Sequence, residues 1–117
     1  MDNGGLLTKE QIFATEDTPY EEVRVPAWGG TVRVKTLNAA EGIEFAELLN
    51  RPEFDGRFRE GLLIACVVDE QGAPIFAPED LGQLTKRNAR AFTTVFNVAR
   101  RLNGFGEDVV KEAEKNS

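Results

Sequence analysis

The chain has 117 residues, 41% apolar and 29% charged, the composition of a single soluble domain with apolar content for a modest core. Its 14 basic residues stand against 20 acidic ones, and the net charge of −6 argues against nucleic acid and anionic membrane surfaces as partners. Histidine is absent and Cys66 is the one cysteine, which excludes histidine-based nucleophilic catalysis, histidine-ligated zinc or haem, and an intramolecular disulfide.

The longest apolar run, 61–68, is far short of the ~20 residues that span a bilayer, and no basic-then-apolar signal pattern opens the chain. A cytoplasmic protein is expected.

Residues 1–7, with Asn3, Gly4 and Gly5, lack periodicity and are expected to be a flexible lead. A single α+β domain is expected over 8–105, beginning with a short helix opened by the capping box Thr8-Lys9-Glu10-Gln11. Residues 20–37 alternate with period two. Val23, Val25, Val32 and Val34 take one side of two strands, and Arg24, Arg33 and Lys35 take the other. Pro26-Ala27-Trp28-Gly29-Gly30 supplies the reversal, giving an N-terminal β-hairpin whose valine face needs a helical cover.

Asn38 as N-cap with Glu41 three residues on predicts a helix carrying Ile43, Phe45, Ala46, Leu48 and Leu49, stopped by Pro52. A second helix is expected to start near Gly56, with Phe58, Leu62, Ala65 and Cys66 at helical spacing, although 64–68 also fits a buried strand, so both readings stand there. The turn Asp69-Glu70-Gln71-Gly72 predicts Ile75 and Phe76 pairing back on Val67 and Val68. Pro78 opens a short helix through Leu84. Phe92, Val95, Phe96, Ala99 and Leu102 form one apolar stripe ended by Asn103-Gly104. Lys86, Arg87 and Arg90 are expected early in this helix, against its dipole, and Arg100 and Arg101 late, in favour of it. Residues 106–117 are acidic and sparsely apolar, and are expected to be a weak helix, a tail or a linker.

Candidate chemistry is thin. A Ca²⁺ loop at 69–80 fails because Gly72 stands fourth, Ala73 fifth and Asp80 twelfth, none matching the pattern. Gly104-Phe105-Gly106 follows a helix and lacks the third glycine of a phosphate loop. The pairs Asp69/Glu70, Glu79/Asp80 and Glu107/Asp108 suit turns and first helical turns better than acid–base catalysis. Cys66 lies among Ile64, Ala65, Val67 and Val68 as a core thiol. No catalytic, cofactor or metal residue is assigned, and the expectation is a protein that is not an enzyme. Trp28 either folds back over the valine face, the preferred reading, or stands out as an interaction anchor. Trp28, Phe92 and Phe96 are therefore the candidate partner contacts. For the two phenylalanines the competing reading is the protein's own core.

Four stretches together resemble the tail assembly chaperones of long-tailed, siphovirus-type phages and prophages. They are Leu6-Leu7-Thr8-Lys9-Glu10-Gln11-Ile12-Phe13, then Val25-Pro26-Ala27-Trp28-Gly29-Gly30-Thr31-Val32-Arg33-Val34, then Val67-Val68-Asp69-Glu70-Gln71-Gly72 with Ile75-Phe76, then Arg101-Leu102-Asn103-Gly104-Phe105-Gly106-Glu107-Asp108. No single motif is diagnostic; their order, spacing and small acidic format agree. The resemblance implies a morphogenesis factor in the host bacterial cytoplasm that binds the long helical tape measure protein and promotes tail-tube assembly around it. Such a factor needs no cofactor, leaves before the virion matures, and is a candidate homo-oligomer. It also implies a longer form made by a backward ribosomal slip, through which the tail-tube protein would be engaged. Glu114-Lys115-Asn116 can be encoded as GAA AAA AAC, which holds the slippery string A AAA AAC in phase, so the slip is expected at Lys115 or Asn116. The runner-up is a permanent virion component such as a tail-completion or head–tail connector subunit.

Overall fold

Two valine-rich strands and one amphipathic helix set the architecture, which a computed structural model describes for residues 4–115. Strand β1 (Tyr20–Val25) and strand β2 (Gly30–Lys35) pair antiparallel with Val23 opposite Val32 and Val25 opposite Gly30, so the four valines share a face as their alternation predicts. A single 3₁₀ turn, Pro26–Trp28, reverses the chain, and Gly29 completes the reversal at φ +74°, the left-handed region open to glycine. Helix α5 (Ala89–Leu102) packs on both strands, and Val25, Val34, Val95 and Ala99 join one core. The observed class is the α+β domain expected, with a hairpin packed on a mostly helical remainder.

The ambiguity at 64–68 resolves into both readings. Helix α3 (Phe58–Cys66) runs through the centre of the molecule, and strand β3 (Val67–Val68) follows it directly. The two β-branched residues meet the free edge of β2, with Arg33 opposite Val68 and Val34 opposite Val67, giving sheet order β1-β2-β3. The small second hairpin is narrower than expected. Pro74, rather than Ile75 or Phe76, bridges Val68, while the Ile75 amide donates to the Val67 carbonyl at 3.2 Å. Asp69 organises the intervening turn, its Oδ1 accepting from the amides of Gln71 and Ala73.

Helix α2 (Ala39–Leu49) begins with the predicted capping box between Asn38 and Glu41, and Phe45 and Leu48 are buried. Ile43 and Ala46, also among the apolar residues expected on this helix, are exposed. At ~100° per residue, two positions carry Ile43 to the far side of the helix from Phe45. Gly61 lets α2 approach α3: a Cβ there would sit 2.8 Å from Leu49 Cδ2. Phe45, Phe58 and Phe105 close this end as an edge-to-face cluster, with centroids 5.6 Å and 5.2 Å apart for the pairs made by Phe58.

Helix α4 (Leu81–Leu84) follows a 3₁₀ turn opened by Pro78. Helix α5 starts later than its basic residues suggest, because the Asn88 side chain caps it at the Ala91 amide; Lys86 and Arg87 thus precede the helix and only Arg90 lies in its first turn. The segment 106–117, expected as a weak helix, a tail or a linker, contains helix α6 (Glu107–Lys115), whose Val110 is buried in the core and which packs on α3. At the other end, helix α1 (Lys9–Phe13) keeps its capping box but buries none of its residues. The 1–7 lead falls partly outside the described residues, and so does Asn116. Among the described residues, no helix is long and apolar enough to cross a membrane.

Candidate partner-binding surfaces

The hairpin turn places Trp28 half-buried against the core. Its indole shares a cleft of about 360 Å³ with Phe76, Leu84 and Arg87, and its Nε1–H is buried without an acceptor among the described residues. Phe92 is half-buried on the α5 stripe. Phe96 is only 4% exposed and lies in the core, with the Arg59 guanidinium 5.4 Å from its ring centroid. The three aromatic candidates therefore do not form one surface: Phe96 is interior, and Trp28 and Phe92 are partly so. Lys115 ends α6.

Members of the carboxylate pairs serve local structure. Asp69 holds its turn, Asp80 Oδ2 accepts from the Ala77 amide at 2.8 Å, and Glu107 and Asp108 occupy the first turn of α6. Among the described residues no three Cys, Asp or Glu side chains converge on a metal-sized site. Burial pushes the Cys66 thiol up to about 12, partly opposed by a hydrogen bond from Asn103, so the thiolate is suppressed at neutral pH.

Asn103 does far more than stop a helix. Its Oδ1 accepts from the Leu37 amide at 2.8 Å, while Nδ2 donates to the carbonyl of Ala99 at 2.9 Å and reaches the Lys35 carbonyl at 3.3 Å. This strap ties the end of α5 to the segment joining β2 and α2. Gly104 at φ +73° then lets the Phe105 amide return to the Arg100 carbonyl. Ion pairs extend the same junction: Arg101 meets Glu21 of β1 at 2.6 Å, and Lys35 meets Glu41 of α2 at 2.6 Å. Burial, the largest single influence, pushes the Glu41 carboxyl up, but the hydrogen bond from the Asn38 amide and the contact with Lys35 together outweigh it and hold the carboxyl below its ordinary value.

The surfaces left without intramolecular cover lie elsewhere. Leu6, Leu7, Ile12 and Phe13 are all exposed, Phe13 at 79%, and Ile43 stands at 62% on the outer face of α2. Ile12 and Phe13 fall within the domain expected from the sequence, and Ile43 among the apolar residues expected on α2. The signal available was negative: the segment between α1 and β1, 14–19, has no large apolar residue to anchor α1 to the sheet.

No family model matches the chain, and no curated protein matches it. Among solved structures it is similar to the tail assembly chaperone of bacteriophage HK97, at a TM-score of 0.49 and 14% identity over 76% of this chain and 90% of that one.

Proposed function

We propose that this protein is a phage tail assembly chaperone that binds the tail tape measure protein and promotes tail-tube assembly around it. The observation that carries the reading is the exposure of Leu6, Leu7, Ile12 and Phe13 on a segment that its capping box pre-shapes as a helix. A five-residue helix is marginal by itself in water, and these side chains gain burial only against another molecule. The same residues form the first of the four stretches that resemble the chaperone family. On this reading the role is non-enzymatic and confined to the host cytoplasm, and the protein leaves before the virion is complete. A frameshifted form diverging at Lys115 or Asn116 recruits the tail-tube protein, and self-association accompanies assembly.

The test is co-expression with the tape measure protein of the same genome. A soluble complex, and particles lacking this chain, is the expected result. Insoluble tape measure protein despite abundant chaperone overturns the reading, and recovery of the chain in purified particles replaces it with a permanent tail component. Intact-mass analysis of the gene expressed with its native downstream DNA checks the longer form.

A further inference from the structure

A groove of about 530 Å³ runs alongside α2, between that helix and segment 74–78. Its floor is apolar, made by Leu48, Ile64 and Ala65, and Phe76 forms the facing wall. Glu44 and Glu47 border it from α2, and neither ion-pairs with a described side chain, whereas Glu41 at the near end is engaged by Lys35. Arg51 closes the far end.

We infer that this groove docks an amphipathic helix of another protein, one whose apolar stripe is bordered by lysine or arginine. The shape favours a helix over a strand. From Glu41 to Arg51 the groove follows α2 for about 15 Å at 1.5 Å per residue, room for two to three turns of a partner helix. Its facing wall carries Pro74 and Pro78, which have no amide to donate, and the Ile75 amide between them is already spent on Val67, so no free strand edge is offered. The charge favours a foreign, basic partner over a second copy. Two unpaired carboxylates flank an apolar floor and select cations beside an apolar stripe, whereas another copy of this chain brings a net charge of −6. The inference deepens the chaperone reading by naming a second surface, beside the exposed α1 segment, and the chemistry through which its long helical partner would be held, and it rests on that reading only for the partner's identity.

The test uses the full chain and a short fluorescein-labelled helical peptide with a leucine stripe bordered by lysines, read by anisotropy. E44Q/E47Q should weaken binding about fivefold and flatten its salt dependence, while E16Q/D17N, with the same change of net charge in the exposed segment between α1 and β1, should leave it unchanged. Equal losses from both double variants, or none from either, overturn the groove. So does concentration-dependent self-association of the wild type that E44Q/E47Q abolishes, because a second copy would then be the occupant. Co-expression with the tape measure protein separates the two claims. Wild type and E44Q/E47Q solubilising it equally overturns the groove and leaves the chaperone reading standing. Peptide binding with no solubilisation by wild type does the reverse.

Discussion

Helices α1 and α5 carry equally readable start signals and have opposite fates. Thr8 and Gln11 form both reciprocal bonds of a capping box, yet nothing in α1 is buried. Asn88 supplies only the simpler cap for α5, and that helix places Ala91, Val95, Phe96 and Ala99 in the core. A cap satisfies amides and sets where a helix begins; it contributes about 1 kcal/mol and says nothing about what the helix covers. Burial depends on the neighbours. The valine face of the hairpin is there for α5, and no such face is offered to α1.

The largest way to break this contrast is at Phe96. Phe96→Ala should destabilise the protein by about 3–5 kcal/mol in urea or thermal unfolding, and an unchanged transition would move that ring from the core to the partner-facing surface. Asn103→Ala comes next, at about 2–3 kcal/mol, because the Leu37 amide and Lys35 carbonyl lose an internal partner. A conservative Asn103→Asp variant sharpens that reading: it keeps the acceptor for Leu37 but not the donor, and should fall between wild type and alanine.

A third expectation concerns alkaline pH. The folded chain keeps the Cys66 proton up to about 12, while the unfolded chain loses it near an ordinary thiol value of about 8.5. The native state binds more protons between those values, so the thiol's stabilising contribution is complete below the unfolded value and is lost as pH rises through that window. Unfolding followed across it should show a steeper loss of stability for wild type than for Cys66→Ala, and parallel slopes would count against a buried thiol. The smallest effect belongs to α1. Ile12→Ser with Phe13→Ser should change global stability by less than about 0.5 kcal/mol, while abolishing solubilisation of the tape measure protein. A loss of several kcal/mol would mean that α1 packs on the domain after all.

Much of the fold was legible because its signals are local. The alternation of Val23, Val25, Val32 and Val34, the Pro26 to Gly30 reversal, the Asn38 and Glu41 box and the α5 stripe each depend on residues within a few positions of one another. Apolar content alone misled where direction mattered. Ile43 counts among the apolar residues of its helix, yet its angular position relative to Phe45 places it outside, and Val110 is buried although the segment that carries it is acidic and sparsely apolar. The candidate surfaces were legible less well. Trp28 at the hairpin tip and Phe92 and Phe96 on the α5 stripe are the sequence candidates, whereas Leu6, Leu7, Phe13 and Ile43 are the most exposed large apolar side chains among the described residues, and the groove beside α2 joins residues from three separate parts of the chain.

The sequence by itself determined the caps of α1 and α2, the reversal and shared valine face of the first hairpin, and an acidic chain without histidine, since caps, turns and alternation act through the nearest neighbours along the backbone. Only the tertiary structure decided that Val67 and Val68 leave a helix to complete a sheet, that Asn103 straps α5 to the start of α2, and which apolar faces stay in solvent. Those outcomes depend on which distant surfaces meet, and burial is a property of the pair rather than of either segment.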